Sequence, residues 1–292
     1  MGKLKKDEGR ISNFSSSIVS KAIFYISYFW YKILIPFEVK YPKFKMWVYE
    51  FIYSVAKIID YKSNFKWFFK NNIIETKFGR FKIRPYTSDA ANISTAFERL
   101  DMNFLFNLVE TFNNKKIIFL NIGADIRTYT VSILSKFDSI KAYSFEPVEE
   151  NFSFLCENIK LNNLESRVKT FNYALYKEDS FLFIVPNKTT PGSSYVAKET
   201  TKEKEQVVAK RIDSIEDLKN IDFDVCISKI DVEGCEIDVL EGGKMFFSQN
   251  KEFYLVVEDF VNNKIIDYLE NNEWMFVKKL TTYNSWWKKC TP

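Results

Sequence analysis

The sequence predicts an α/β fold: a largely parallel, doubly wound sheet with helices on both faces, preceded by an N-terminal helical segment and a β-hairpin. Three observations predict it. Short apolar runs alternate with amphipathic stretches from residue 116 to residue 271, the rhythm of parallel strands joined by crossover helices. One run, residues 224–231, ends abruptly in Asp231 and Glu233, turns at Gly234, and resumes with helical spacing at Ile237, Leu240 and Met245. An earlier run, residues 116–121, leads into Gly123-Ala124 and also opens a helix. In open α/β sheets the chemistry collects at such C-terminal strand tips.

Taken in chain order, residues 18–36 are apolar and aromatic but carry Lys21 and Lys32. A spanning helix wants about 20 apolar residues with few charges, and no small-residue cleavage site follows. Two readings stay open: an interfacial helix with Phe24, Tyr28, Trp30 and Tyr31 at headgroup depth, or a cap packed on the next domain. Residues 46–59 carry a second helical pattern. Residues 73–85 alternate around Gly79-Arg80, a hairpin signal. Residues 96–112 read as a helix with Phe97, Leu100, Phe104, Leu105 and Leu108 on one side. Strands are then expected at 116–121, 140–145, 168–174, 224–231 and 253–258. Helices are expected at 128–136, 149–162, 214–219, 236–247 and 262–271. Residues 181–208 break this rhythm and read as a long polar insert over the active face. Residues 274–277 and 283–287 read as a closing strand pair.

The chain has 292 residues, of which 46% are hydrophobic, enough for one large domain with an appended segment. The boundary falls near residue 70, giving a basic, aromatic segment (1–70) and a domain (71–292). Residues 1–85 carry 17 Lys and Arg against 6 Asp and Glu, whereas the remainder carries 25 against 32. Such asymmetry suits peripheral contact with an anionic membrane surface on the cytoplasmic side. No nucleic-acid-binding module is visible. Four cysteines without metal-type spacing read as reduced thiols of a cytoplasmic protein. There is no histidine. Acid–base chemistry therefore falls to carboxylate, lysine, tyrosine or cysteine.

Gly123 and Ala124 let the backbone approach a ligand at a helix N-terminus, although a complete G-x-G-x-x-G is absent. The next strand ends in Glu146-Pro147, where an acid suits ribose hydroxyls. The third ends at Asn172-Tyr-Ala174, where a small residue can lie beside a base. Asp231 is the first candidate base, then Glu233, then Glu258. Lys229, two positions before Asp231, shares its face of the strand and can supply it with a counter-charge. No metal-ligand set stands out.

Asn121-Ile-Gly-Ala-Asp-Ile, Phe145-Glu-Pro, Asn172-Tyr-Ala-Leu, Arg211-Ile-Asp-Ser-Ile and Lys229-Ile-Asp-Val-Glu-Gly-Cys-Glu together resemble the FkbM-type branch of the class I S-adenosylmethionine-dependent methyltransferases. The resemblance spans residues 73–287. It implies a Rossmann-like, seven-stranded mixed sheet with a reversed final strand, S-adenosyl-L-methionine as cofactor, and methyl transfer to a hydroxyl, often of a sugar, glycolipid or polyketide. It places Asn121, Gly123, Ala124 and Asp125 near the methionine part, Glu146 and Pro147 at the ribose, Asn172 and Ala174 near the adenine, Asp231 beside the reacting centre, and Glu98 closing over the cofactor. Two positions depart from the family. Asn121 replaces the usual acid and loses its charge. Arg127 replaces a glycine, where it either pairs with the cofactor's carboxylate or obstructs the pocket. These departures keep two other readings open: a silent binding or scaffold protein on the same fold, and a nicotinamide-dependent oxidoreductase.

Overall fold

The computed structural model describes residues 73–84, 87–93, 98–112, 114–126, 128–188, 190–197, 203–259, 264–281 and 283–290. The segment 1–70, its two expected helices, and Arg127 lie outside the described residues.

The described chain opens on a hairpin of β1 (Ile73–Thr76) and β2 (Gly79–Lys82). Its turn falls at Lys77-Phe78, two residues before the expected Gly79-Arg80. A side chain at Gly79 would stand 2.7 Å from Val131 Cγ1, and this residue's φ of +141° suits glycine as the chain leaves the turn. After α1 (Asp89–Asn92) comes α2 (Arg99–Glu110). It buries Asp101, Met102, Leu105, Phe106 and Val109 and leaves Leu100 exposed. The buried face is thus rotated from the predicted one, because polar Asp101 points inward to Trp286.

From there the expected alternation appears: β3 (Ile117–Ile122), α3 (Thr128–Lys136), β4 (Lys141–Phe145), α4 (Glu149–Leu161) and β5 (Val168–Phe171). The predicted third strand stops at Phe171. Ala174 belongs instead to β6 (Ala174–Leu175), which joins β7 (Ser180–Val185), β8 (Tyr195–Val196) and β9 (Glu205–Lys210) in a separate four-stranded sheet. The predicted long insert therefore begins and ends in strand, with a short strand between. Its alternation (Phe181 and Phe183 outward, Leu182 and Ile184 inward) is period 2, and the polar loop between hides the pairing. The chain continues through α5 (Glu216–Lys219), β10 (Val225–Ile230), α6 (Glu236–Glu241), α7 (Lys244–Phe247), β11 (Glu252–Glu258), α8 (Lys264–Asn271), β12 (Trp274–Lys279) and β13 (Asn284–Lys289). The single helix expected over 236–247 divides at Gly242-Gly243. A Cβ at Gly242 would meet the carbonyl oxygen of Tyr176 at 2.0 Å.

The main sheet has seven strands in the order β12-β13-β11-β10-β3-β4-β5. β11, β10, β3, β4 and β5 are parallel, and β13 runs antiparallel to β11. Alternation along the central strands builds two cores. Ile117, Phe119, Val225 and Ile227 pack under α2, α3 and α4, while Ile118, Leu120, Ile122, Cys226 and Ile230 pack under α6, α7 and α8. β3 and β10 are buried on both faces throughout, as central parallel strands are. Their shared register brings the tips of β3, β4 and β10 to one edge.

Candidate active site

At that edge three turns meet. The chain leaves β3 through Gly123, whose φ is +75°. The Gly123 and Ala124 amides both donate to the Phe145 carbonyl at 3.1 and 3.0 Å, binding the β3 turn to the β4 tip. β10 ends at Asp231, whose amide donates to the Ile122 carbonyl at 3.0 Å. Beyond it, Glu233 and Gly234 adopt φ of +52° and +102°. Glu236 Oε1 accepts the amides of Val232 and Gly234 at 3.3 and 3.0 Å, fixing this loop before α6.

Between the tips lies a cleft open to solvent. Gly123, Asp125, Glu146, Pro147, Ala174 and Asp231 line it. The three strand-tip residues Gly123, Glu146 and Asp231 therefore face one hollow. Its apolar wall comes from the four-stranded sheet and the stretch before it, with Tyr173, Leu175, Leu182 and Ile184. A 3₁₀ turn at Pro191–Ser193 contributes Pro191 and Gly192. Glu146 is 4% exposed. One of its oxygens accepts the Asp125 amide at 2.7 Å, the other the Val148 amide at 3.0 Å at the start of α4. A carboxylate with its lone pairs shared this way still has acceptor capacity.

Four expected cofactor residues stand elsewhere. Asn121 lies on the α3 face of β3, buried, and donates to Thr130 Oγ1 at 3.0 Å; it sits below the strand tip and does not line the cleft. Ala124 is buried behind the turn and lends only its amide. The Asn172 amide donates to the Glu146 and Pro147 carbonyls at 3.1 and 3.2 Å, so it braces the β4 loop, and its neighbour Tyr173 faces the cleft. Glu98 is buried at the start of α2, where its Oε1 accepts from Asn284 at 3.1 Å. It lines no part of the cleft.

Behind Asp231 the acids and the lysine form a second group. Lys229 pairs in register with Asn121, and its ammonium lies 2.8 Å from Asp231 Oδ2, 3.9 Å from Glu98 Oε2 and 4.9 Å from the centre of the Tyr129 ring. Burial by itself would lower the Lys229 pKa, but Asp231 and Glu98 outweigh it and hold the amine charged, well above its ordinary value. On the open side, Asp231, Glu233 and Glu258 each place one carboxyl oxygen within 4.8 Å of the others. Like charges so close must share protons or a cation. Burial first, then Asp231, pushes Glu233 up to about 8. The same two causes raise Glu258 well above the carboxylate range.

This crowding has a stability consequence. Glu233 titrates near its ordinary 4.5 when unfolded and near about 8 when folded. Between those values the folded chain holds a proton that the unfolded chain has released, so stability falls as pH rises through the interval. Thermal melts between about pH 5 and about pH 8 should show a falling Tm in the wild type. The fall should be smaller in Glu233→Gln; an equal fall in both would remove Glu233 as its source. Dialysis against a chelator should leave Tm unchanged. A loss restored by Mg²⁺ would instead give the cluster's role to a cation.

Sequence reasoning missed Arg84, Asn151 and the apolar wall of β6 and β7. Arg84 closes an alternating run, which marks it as a strand-end cation and nothing more.

Comparison with known proteins returned one family. The profile of the methyltransferase FkbM domain matches residues 118–274. No curated protein matches the chain. Among solved structures, the chain is similar to the METTL16 MTase domain with 11% identity and a TM-score of 0.41, over 66% of this chain and 68% of that one. The N-terminal domain of human METTL16 in complex with SAH gives 14%, 0.38, 65% and 69%. Precorrin-6y C5,15-methyltransferase from Geobacter metallireducens gives 10%, 0.37, 64% and 87%.

Proposed function

The chain belongs to the methyltransferase FkbM domain family, and on that premise we propose that it methylates a hydroxyl of a carbohydrate, a glycolipid or a related natural product. It is an S-adenosylmethionine-dependent methyltransferase, which replaces the oxidoreductase reading. The cleft suits this cofactor. Gly123 lets the β3 and β10 tips close against each other at the cleft, Glu146 offers acceptors for ribose hydroxyls, and Tyr173, Leu175 and Ile184 form an apolar wall for a base. Gly123, Asp125, Glu146, Pro147 and Ala174 would hold it. When bound, the cofactor supplies a methyl group on a positively charged sulfur, already a strong electrophile.

The protein's own work is then alignment and proton removal. Alignment alone can supply on the order of 7–11 kcal/mol of a barrier. Asp231 stands at the cleft wall and takes the acceptor's O–H proton as the new oxygen–carbon bond forms. Such general-base help is worth ~10²–10⁴-fold. Lys229 anchors that carboxylate and supplies its counter-charge.

The observation that supports the hydroxyl-rich acceptor is the group of carboxyls around Asp231. Glu233, which burial and Asp231 push up to about 8, places a carboxyl oxygen within 4.8 Å of Asp231 and Glu258. Together they offer hydrogen-bond donors and acceptors at one place, the complement a polyol requires. Among the described residues no helix is long and apolar enough to cross a membrane. The basic, aromatic segment 1–70 supports a cytoplasmic location with peripheral contact to an anionic membrane surface, where lipid-linked glycans are found. Incubation with methyl-labelled S-adenosylmethionine and a panel of methyl glycosides and lipid-linked sugars tests this. Alkali-stable label in a sugar supports the reading; label only in protein or nucleic acid contradicts it.

A further inference from the structure

Arg84 leaves the end of the hairpin and runs inward with 4% of its side chain exposed. Its guanidinium grips Asp89 twice: Nε donates to Oδ2 and Nη2 to Oδ1, each at 2.9 Å. The Arg84 backbone amide donates to the same Asp89 carboxylate at 2.8 Å. That pair alone would complete a structural clamp between the hairpin and α1. The fork reaches further. Nη2 also donates to Asp125 Oδ1 at 2.7 Å, and Nη1 donates to the amide oxygen of Asn151. The Asn151 amide nitrogen donates in turn to Glu146 Oε1 and to the Pro191 carbonyl, both at 3.3 Å. Asp125, Glu146, Asn151 and Pro191 all line the cleft. One guanidinium therefore ties together the β3 turn, the β4 tip, α4 and the turn at Pro191.

We propose that Arg84 is a positioning residue of the cofactor site: through Asp125, and through Asn151 to Glu146, it fixes the acids that face the bound nucleoside. The proposal rests on the cofactor reading above and adds to it a residue outside the family's strand-tip motifs. The chemistry is specific to arginine. Four of its five N–H groups are directed to three different partners, and a lysine, a point charge on a flexible stem, cannot reproduce that fork. Asp89 is fully buried and two acids share the one cation, so the arrangement is costly unless every arm is made.

Calorimetric titration with S-adenosylhomocysteine tests it without any acceptor. The wild type should bind; if it does not, the cofactor reading fails and this proposal with it. Arg84→Lys should weaken binding on the order of tenfold or more, with an unchanged far-UV spectrum. In an Asp125→Asn background the same substitution should cost much less, because both changes cut one connection. A lowered Tm with affinity within about twofold of wild type would make Arg84 a purely structural clamp. Should Arg84→Lys fail to fold, Asp125→Asn and Asn151→Leu leave the Arg84–Asp89 pair intact and carry the test. Each should weaken binding about fivefold or more, and unchanged affinity in both overturns the proposal.

Discussion

Gly123→Ala is expected to abolish measurable binding of S-adenosylhomocysteine and to lower Tm. A Cβ at this position would sit 1.7 Å from the backbone oxygen of Asp231 and 2.7 Å from its carbonyl carbon. These are backbone atoms, and neither can swing aside. The Gly123 amide is committed to Phe145 and the Asp231 amide to Ile122, so relief requires prying the β3 and β10 tips apart. Overpacking of this kind costs typically ~1–3 kcal/mol or more, and the left-handed φ of +75° adds about 1–2 kcal/mol for any residue with a side chain. Those tips are two of the three that form the cleft. Gly234→Ala is the control. Its φ is +102°, yet nothing lies within 4 Å of the added carbon, so it should be destabilised by backbone strain while cofactor affinity changes little. Calorimetry and thermal melts on both variants read the difference, and normal binding by Gly123→Ala would show that the tips can separate without cost.

Asp231→Asn is expected to lower methyl transfer by ~10²–10⁴-fold while S-adenosylhomocysteine affinity stays within a few-fold of wild type. The substitution keeps the shape and removes the base. The protein has no histidine to take over. In the wild type, burial and then Asp231 push Glu233 up to about 8 and raise Glu258 well above the carboxylate range. Some loss of Tm should accompany the change, because the buried Lys229 ammonium loses its nearest counter-charge. Single-turnover transfer to whichever sugar the labelling panel identifies would measure the effect. Near-normal turnover would remove Asp231 from the mechanism.

The strand tips were legible in the sequence because each is a contiguous signal: an apolar run, a sharp turn, then helical spacing. Gly123, Glu146 and Asp231 needed no long-range information to be placed at the ends of parallel strands. Their convergence on one cleft follows from the register of β3, β4 and β10. Residues whose roles depend on partners far away in the chain were not legible. Arg84 reaches Asn151 across 67 positions, and no local pattern announces that contact. Asp101 turns α2 inward only because Trp286, 185 residues later, offers a buried N–H. Asn121 and Asn172 were placed at the cofactor by the family resemblance. Asn121 is buried below the strand tip with its amide spent on Thr130, and Asn172 is spent on backbone carbonyls. Glu98 was placed over the cofactor by resemblance, whereas Asn284 and Lys229 hold it on the far side of Asp231. The wall made by β6 and β7 escaped notice because a polar, charged stretch separates β7 from its partner β9.

Titration of the wild-type protein with S-adenosylhomocysteine, alongside Glu146→Gln, tests most directly whether three strand ends build one nucleoside site. Saturable binding at a single site, weakened on the order of tenfold when Glu146 loses its charge, is the predicted result. Absence of heat in the wild type, or the same affinity in both proteins, would contradict it.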